Sequence, residues 1–406
     1  MCGIVGFVGK QGNKEQVLDD MMKVIIHRGP DSAGKYVNDQ VALGFRRLSI
    51  IDLENGSQPM FNEDGEVGIV FNGEIYNSPE LRERFQAKGH VFKNSSDTET
   101  LVHGYEEYGE KLVHELRGMF GFAIWDNKKK RLFMARDFFG IKPVYYAMIR
   151  GNLVFGSEIK SILEFPGFKK EVNNEALEEY LSFQYPNLPE TFFKGVYRLL
   201  PPHYLTYQNG ELNVTQYFDP TLEPVSKDSQ EELVKKLTDV LEDSVDKHML
   251  ADVEVGAFLS SGVDSSYIAA KYSGKKTFTV GFFDKNNQSS ETQYAEECAK
   301  FLGLENYSHQ ITEEEYWGEM PKIMYHMDEP LADPAAIALY FVAREAAKQV
   351  KVVTSGEGAD EFFGGYTIYR EPLSLRWISW LPKSWRKSMA NLAEKLPEGM
   401  KGRSYI

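Results

Sequence analysis

The feature that most constrains the fold is a change in hydrophobic pattern near residues 210–230 of this 406-residue chain. Before it, short apolar stretches bounded by turn residues recur, which is typical of sheet packed on sheet with helices outside. After it, helical and strand patterns alternate, and this order predicts a parallel sheet wound by helices. The segment Asp219–Gln230, with two prolines and small polar residues, reads as a linker. The sequence therefore predicts two domains, at 2–210 and 228–406.

The same patterns predict individual elements. In the first domain the strands are Gly3–Val8, Val41–Ile51, Gly68–Phe71, Met119–Trp125, Arg131–Ala135, Val144–Met148 and Leu153–Phe155, and the helices are Glu15–Ile26, Ser78–Lys88 and Asp97–Tyr108. In the second domain the strands are Val253–Leu259, Lys276–Phe282, Glu305–Ile311 and Val350–Thr354, and the helices cover about 228–249, 264–272, 291–302, 313–326 and 334–348.

Charge and cysteine content exclude several classes of protein. The net charge of −14 argues against a dedicated nucleic-acid binder and against an anionic membrane surface. Two cysteines cannot form a disulfide framework, and no clustered Cys/His spacing predicts a structural zinc site. No apolar run reaches transmembrane length, and the N-terminus lacks a signal-peptide pattern. We therefore expect a cytoplasmic protein with no nucleic-acid or membrane partner.

Cys2 directly follows Met1. Removal of Met1 would place a thiol and a free α-amine on one residue. An α-amine with a pKa of about 7.7–8.0 is partly neutral at pH 7 and can act as the base that activates the thiol. A cysteine at position 2 is, taken alone, more often an accident of sequence. Its place at the start of a predicted strand, and the polar groups that follow, favour a nucleophile.

Those polar groups suit an amino-acid substrate. Arginine pairs with an α-carboxylate and carboxylates attract an α-ammonium group, while an asparagine amide beside a glycine N–H can form an oxyanion hole. The groups lie in His27–Asp31 (HRGPD), Arg47–Ile50 (RLSI), Asn72–Glu74 (NGE) and Ser96–Glu99 (SDTE). We interpret His27 as bracing its loop, not as catalytic.

Two small-residue turns in the second domain each follow an apolar strand and precede a helical pattern. They are Ser260–Ser266 (SSGVDSS) and Ser355–Glu361 (SGEGADE). Such turns expose backbone N–H groups that bind phosphate, and Asp264 supplies a carboxylate for Mg²⁺. For the first turn alone, a plain connection with a serine cap is an equal alternative. For the acids of the second, favourable interaction with the helix dipole is the alternative, and we prefer it for Glu361.

One further glycine-bounded run, Gly29–Lys35, fits most of a Walker A pattern. Tyr36 stands where Ser or Thr is needed, and a helical pattern precedes it instead of a strand. We therefore reject a P-loop here.

The first-domain motifs resemble the class II glutamine amidotransferase domain, an N-terminal-nucleophile hydrolase with an αββα sandwich fold. CGI at the start, HRGPD, RLSI and NGE all occur in order. The resemblance implies that Cys2 attacks the glutamine amide, that Asn72 and Gly73 hold the oxyanion, and that Arg47 binds the substrate carboxylate. It also implies further glutamine contacts from Leu48, Ser49, Ile50, Ile51, Glu74 and Asp97.

The second-domain motifs resemble the pyrophosphatase-loop domain of the glutamine-hydrolysing asparagine synthetase family. LSSGVDSS resembles the usual SGGxDS loop, although Ser261 replaces a glycine, and SGEGADE is a family hallmark. The resemblance implies an α/β nucleotide-binding fold, with Asp264 and Asp360 binding Mg²⁺ and Glu357 promoting formation of β-aspartyl-AMP. The implied ATP contacts are Leu259, Ser260, Gly262, Asp264, Ser265, Val280, Ser355 and Gly356.

The resemblance thus implies glutamine, aspartate and ATP as substrates, internal passage of ammonia, and a homodimer as one possible assembly. Ile406 lies only 45 residues after Glu361, so we expect a C-terminally incomplete second domain that lacks the family's aspartate-fixing segment. Three hypotheses therefore stand: asparagine formation, amination of a different carboxylate, or a glutaminase and nucleotide-binding protein with an inactive synthetase half. The acidic phosphoribosyl-pyrophosphate loop of another amidotransferase class is not found, and Cys2 argues against the β-lactam-forming variant.

Overall fold

The computed structural model describes residues 1–185, 187–221, 226–282, 291–370 and 380–393, with Leu373 and Arg376. The strands of the first half are β1 Gly3–Val8, β2 Ser32–Val37, β3 Val41–Arg47, β4 Met60–Phe61, β5 Val67–Ile75, β6 Gly118–Asp126, β7 Arg131–Arg136, β8 Tyr145–Ile149, β9 Asn152–Gly156, β10 Val196–Arg198, β11 His203–Gln208 and β12 Glu211–Gln216. Its helices are α1 Lys14–Lys23, α2 Ser78–Ala87, α3 Asp97–Tyr108, α4 Ile159–Leu163 and α5 Asn174–Phe183, with 3₁₀ turns at Ile26–Arg28 and Gly109–His114.

These strands form two six-stranded antiparallel sheets, in the orders β10-β8-β9-β1-β3-β2 and β12-β11-β7-β6-β5-β4. Three apolar clusters separate four layers. One, which includes Ile4, Phe45 and Trp125, fills the space between the sheets. The other two lie between each sheet and its helices, with Leu18 of α1 on one side and Leu101 of α3 on the other. Because alternate side chains of each strand enter opposite clusters, both sheets are covered on both faces. The predicted αββα sandwich is confirmed.

The second half contains α6 Gln230–His248, β13 Val255–Phe258, α7 Val263–Lys271, β14 Lys276–Phe282, α8 Glu291–Leu302, β15 Glu305–Ile311, α9 Glu313–Met327, α10 Pro334–Ala346, β16 Val352–Thr354, α11 Ala359–Phe363, a 3₁₀ turn at Thr367–Arg370 and α12 Lys383–Ala393. Helix α6 begins with a capping box, in which Ser229 and Glu232 satisfy each other's backbone N–H groups. The four strands of the second half form a parallel sheet in the order β15-β14-β13-β16. The predicted parallel α/β fold is therefore also confirmed.

The order of this sheet determines where a ligand can bind. From β13 the chain proceeds outward through β14 to β15, then returns to place β16 on the other side of β13. Helices α7 and α8 pack on one face and α10 on the other. The winding therefore reverses between β13 and β16, and the crevice outside the carboxyl ends of two such strands is where open α/β sheets bind ligands.

Candidate functional site

Cys2 lies at the start of β1, where the N-terminal end of the chain enters the space between the two sheets. Its side chain packs against the inter-sheet cluster. The Leu48 amide donates to Cys2 Sγ at 3.4 Å, and the Leu48 carbonyl oxygen lies 3.5 Å from the same sulfur. The Arg28 guanidinium donates to the Cys2 carbonyl at 2.9 Å. These contacts fix the thiol on a rigid strand.

Asn72 and Glu74 lie on the same side of β5 because side chains two residues apart share a face. Val70, the preceding residue on that face, belongs to the cluster that Cys2 contacts. Asn72 is only 1% exposed, and its Nδ2 has no hydrogen-bond partner among the described residues. The Glu74 Oε2 atom is buried and likewise lacks a partner in the described chain. Buried polar groups are nearly always hydrogen-bonded. The two atoms without partners, Asn72 Nδ2 and Glu74 Oε2, therefore indicate a place for a polar ligand.

Gly73 lies between Asn72 and Glu74, and any larger residue there would displace β5 from β6. A Cβ atom there would lie 2.1 Å from the Met119 carbonyl oxygen, because β5 and β6 pair closely at this point. The glycine therefore allows the strand that carries Asn72 and Glu74 to approach its neighbour.

Glu74 and Asp97 form a pair of carboxyl groups, of which Asp97 is buried and Glu74 is half-buried with its Oε2 atom shielded from solvent. Burial raises the pKa of Glu74 well above its usual value, and the charge of Asp97 raises it further. Burial also raises the pKa of Asp97 to about 6, although the Ile75 amide donates to its Oδ2 at 2.9 Å. A cationic group placed between them would relieve the repulsion.

The amino groups of Met1 and Lys142 also lie near this site. Burial, with help from Arg28, lowers the pKa of the Met1 amine to about 5. Burial lowers the pKa of Lys142 to about 8, although Glu74 opposes that shift. Burial raises the pKa of the Cys2 thiol, and the Leu48 amide partly offsets this. With a pKa of about 5 the Met1 amine is mostly neutral at pH 7, whereas Lys142 keeps most of its charge.

Arg47 is buried and holds the loop that follows β3. Its Nη1 donates to the Leu53 carbonyl, and its Nη2 donates to those of Ile51 and Asp52. The Ser49 amide donates to Asp31, and the Ile50 carbonyl accepts from Asp252 of the second half. The loop therefore lies between the thiol and the second half of the chain.

Sequence reasoning missed a buried chain of charges behind Cys2. Arg28, His27 and Lys160 all contact Glu158, and Lys160 Nζ also lies 2.7 Å from Asp328 Oδ1. Burial alone would raise the pKa of Glu158, but the hydrogen bond with His27 and the charges of Arg28 and Lys160 lower it to about 2. The Arg28 in HRGPD was visible in the sequence, whereas Lys142 and Glu158 carried no motif signal. The expectation that His27 braces its loop agrees with its 2.9 Å contact to Glu158.

The two turns of the second half meet at the switch point. Ala257 of β13 pairs with Thr354 of β16. A Cβ atom on Gly356 would lie 3.1 Å from the Asp264 Cβ, so the turns are in direct contact. Ser265 Oγ accepts from the Ser260 amide at 3.0 Å and lies 2.8 Å from the Ser260 hydroxyl. Ser261 has no positive φ, so serine replaces the usual glycine without backbone strain.

The side chains predicted to contact ATP divide into two groups. Leu259 is buried against Ala269 and Ala295, and Val280 packs toward α9 and α10, so these side chains build the core below the turns. Gly262, Asp264 and Glu357 are exposed, and Ser355, Gly356 and Asp360 are half-buried. The polar groups of both turns are thus open to solvent.

Comparison with known proteins identifies the family. A family model described as a glutamine amidotransferase domain matches residues 1–218, and a model described as asparagine synthase matches residues 236–405. The putative asparagine synthetase [glutamine-hydrolyzing] 2 of Methanocaldococcus jannaschii is 33% identical, with 94% of this chain covering 79% of that protein. This chain belongs to the glutamine-hydrolysing asparagine synthetase family.

Two further relatives carry different names. Asparagine synthetase [glutamine-hydrolyzing] 1 of Bacillus subtilis is 46% identical over 100% of this chain and 65% of its own length. Amidase chyE of Penicillium rubens is 34% identical over 99% of this chain and 65% of its own. The chain therefore spans just under two thirds of the length of both proteins. None of the helices in the described part of the chain has the length and apolarity that a membrane crossing requires.

Proposed function

We propose that this chain belongs to an ATP-dependent enzyme that forms asparagine from aspartate, with glutamine as the nitrogen donor. The observation that carries the proposal is the enclosed site around Cys2, where a thiol, two unpartnered polar atoms and a carboxyl pair converge. The family membership and the two contacting turns of the second half support the synthetase part.

In the first reaction, Cys2 Sγ attacks the carbon of the glutamine side-chain amide. Asn72 Nδ2 and the Gly73 N–H stabilise the oxyanion, and ammonia leaves as a thioester forms. Water then releases glutamate. The Glu74–Asp97 pair binds the α-ammonium group, while Arg47 and the backbone of Leu48–Ile51 bind the α-carboxylate. The α-amine of Cys2 would act as the base once Met1 has been removed, because an α-amine with an ordinary pKa of about 7.7–8.0 is partly neutral at pH 7.

In the second reaction, the β-carboxylate of aspartate attacks the α-phosphorus of ATP, which gives β-aspartyl-AMP and pyrophosphate. Ammonia from the first site then displaces AMP. Leu259, Ser260, Gly262, Ser265, Val280, Ser355 and Gly356 would form the nucleotide site, and Glu357 would promote adenylation. The contact between the two turns at the switch point supports this assignment.

The donor set of the turns suits Mg²⁺, because Asp264 and Asp360 offer hard oxygen ligands beside backbone N–H groups that favour phosphate. Mg²⁺ would neutralise phosphate charge. Cytoplasmic location and a homodimer remain parts of this proposal that follow from family membership alone.

A second candidate function is amination of a carboxylate other than that of aspartate. One relative of similar identity is named an amidase, not an asparagine synthetase. The nitrogen-donor site and the nucleotide site would be the same in both cases, so the acceptor alone separates the two candidates.

The test supplies aspartate and MgATP with either ammonium or glutamine, and measures asparagine and AMP. We expect product with both donors. Cys2→Ala should lower glutamine-dependent synthesis by about 10⁴-fold or more and leave ammonium-dependent synthesis intact, while Cys298→Ala should change neither. Mass spectrometry of the intact chain shows whether Met1 is removed.

Each failure has a distinct meaning. Glutamine hydrolysis without asparagine or AMP would support the inactive-synthetase hypothesis. AMP formation only with another carboxylic acid would support the second candidate. Glutamine hydrolysis that survives Cys2→Ala would overturn the assigned nucleophile.

A further inference from the structure

Two histidines and two glutamates meet on the outer side of the second sheet, away from Cys2. His103 and Glu106 lie on α3, His90 follows α2, and Glu63 lies in the β4–β5 turn. His103 is 1% exposed, His90 is 14% exposed, and the two glutamates are 25–33% exposed. The cluster therefore has a buried floor and an open rim.

The ligand atoms have the spacing of a four-coordinate metal site. Glu106 Oε2 lies 3.1 Å from His103 Nδ1 and 3.8 Å from His90 Nδ1. Glu63 oxygens lie 3.3 Å from His90 Nδ1 and 3.4 Å from His103 Nδ1. All four ligand positions fall within 4.8 Å of one another. Zinc bonds of about 2.0–2.1 Å in tetrahedral geometry place neighbouring ligand atoms roughly 3.3–3.4 Å apart.

The outer contacts also resemble those of metal-bound histidines, whose second ring nitrogen usually faces a carboxylate. His90 Nε2 lies 3.2 Å from Glu107 Oε1, and Lys88 pairs with that glutamate. His103 Nε2 lies 4.0 Å from the buried Glu99 and has no hydrogen-bond partner among the described residues. The glutamates are held as well, since the Val91 amide donates to Glu63 and Asn62 Nδ2 donates to Glu106.

We propose that Glu63, His90, His103 and Glu106 form a zinc site through both histidine Nδ1 atoms and one oxygen of each glutamate. Two imidazoles and two carboxylates suit Zn²⁺ better than Mg²⁺ or Ca²⁺, which prefer oxygen ligands alone. The ligand set is separated in sequence into 63, 90, 103 and 106, so no short motif reveals it.

The expected role is structural. The site ties α3 to the β4–β5 turn and to the segment after α2, and α3 begins with Asp97 of the glutamine site. Four protein ligands leave no open position for chemistry. Zinc should therefore stabilise the first half and leave the ammonium-dependent reaction of the second half unchanged.

The test uses the full chain without a histidine tag, treated with chelator and dialysed against Zn²⁺. We expect one tightly bound Zn²⁺ per chain by elemental analysis, a higher melting temperature with metal, and the absorption of four-coordinate Co²⁺ without a thiolate band when Co²⁺ replaces it. His103→Gln should abolish this binding. His309→Gln, which alters a histidine that contacts Glu315 outside this cluster, should not.

His103 is buried, so its replacement can unfold the chain. Glu107→Gln provides the second variant, because loss of an outer carboxylate typically lowers metal affinity about 10- to 100-fold without touching a ligand. Absence of stoichiometric Zn²⁺ from the folded wild-type chain would overturn the site, as would equal affinity in the wild type and in Glu107→Gln and His103→Gln. A thiolate band in the Co²⁺ spectrum would place the metal on a cysteine instead.

Discussion

The two candidate sites of this chain differ in how they are enclosed. The proposed glutamine site lies between two sheets, its proposed nucleophile directly precedes a central strand, and Asp97 is buried while Glu74 is half-buried. The nucleotide turns lie at an open sheet edge, where serine hydroxyls bond one another and Glu357 and Asp264 are exposed. The first site is preorganised by desolvation and strand pairing. In the second site the two turns at the carboxyl ends of β13 and β16 are in contact, but their polar groups remain open to solvent.

This difference in enclosure predicts how single substitutions in each site affect stability and activity. Groups in an enclosed site interact strongly because water is excluded, so single changes there alter stability and activity together. Groups in an open site are screened and partly solvated, so single changes there alter activity with little effect on folding. The four predictions below test this contrast.

The largest effect is expected from Lys160→Met. Lys160 is buried between Glu158 and Asp328, and its loss leaves two buried carboxylates without their shared cation. Breaking a buried pair in this way typically costs about 3–5 kcal/mol, which urea unfolding would measure. Lys194→Met is the control, because Lys194 and Glu171 are each 61% exposed and such pairs contribute about 1 kcal/mol or less. Equal losses in both variants would show that burial of the ion pair does not determine the cost of breaking it.

Gly73 in the first site and Gly356 in the second offer a matched pair of glycine-to-alanine substitutions. In Gly73→Ala the new methyl group overlaps the Met119 carbonyl and must displace β5, so we expect about a 10²- to 10³-fold loss of glutamine hydrolysis. We also expect destabilisation of about 1–3 kcal/mol. In Gly356→Ala the nearest atoms are 3.1 Å away, and we expect about a tenfold loss of ammonium-dependent synthesis with an unchanged melting temperature. A comparable drop in stability at both positions would show that the second site is as tightly packed as the first.

Glu74→Gln should raise the stability of the chain and lower its activity with glutamine. Burial places the folded-state pKa of Asp97 at about 6 and that of Glu74 well above its usual value, so the folded chain binds protons more tightly than the unfolded one. Stability therefore falls as pH rises from about 4 through 6. Removing one charge should raise stability at pH 7.5 by roughly 1 kcal/mol, or about 2–4 °C, and flatten this pH dependence.

The same variant should lower kcat/KM for glutamine about 10- to 100-fold, since a charged hydrogen bond to the substrate ammonium is lost. In the wild type, kcat/KM for glutamine should rise with pH through about 6 as Asp97 ionises. Glu83→Gln, on the exposed face of α2, serves as the control for both measurements. A Glu74→Gln variant that melts lower than the wild type at pH 7.5 would contradict the buried repulsion.

The smallest effect is expected from Ser265→Ala. Its hydroxyl accepts from the Ser260 amide and lies beside the Ser260 hydroxyl, so its loss should loosen the first turn. A neutral hydrogen bond of about 0.5–1.5 kcal/mol corresponds to roughly a 2- to 10-fold rise in KM for ATP. Ser266→Ala removes only a bond to the Gly262 carbonyl and should change KM less. Equal changes in KM for ATP in both variants would show that the hydrogen bonds closing the first turn do not affect ATP binding.

The sequence predicted periodic elements well and irregular ones poorly. Strands β1, β14 and β15 and helices α3 and α8 have the predicted bounds. In β1 and β14 these bounds coincide with a mostly buried apolar run. The strand predicted at Val41–Ile51 ends at Arg47, since Arg47 folds the following residues into a loop around its own guanidinium. Strands β2, β4 and β10–β12 and helices α4 and α5 were not predicted, because these short stretches carry little periodic signal. The predicted linker lies partly outside the described residues.

The candidate sites divide in the same way. Cys2, Leu48, Glu74 and Asp97 were predicted and lie together. Arg28 lies within the HRGPD motif, but its partner Glu158 lies 130 residues away. Lys142 contacts the site only through tertiary folding, so no local pattern indicated Glu158 or Lys142. Domain bounds and individual residue roles stay predictions until the variants above are measured.

The position of β1 has a consequence for local unfolding. Chain termini usually fray first and exchange their amide hydrogens fastest. Here the terminal strand is hydrogen-bonded to β3 on one side and to β9 on the other, and all six of its residues are buried. Its amides should therefore be among the slowest in the chain to exchange with deuterium, so that the thiol beside them stays in register even when the outer helices open.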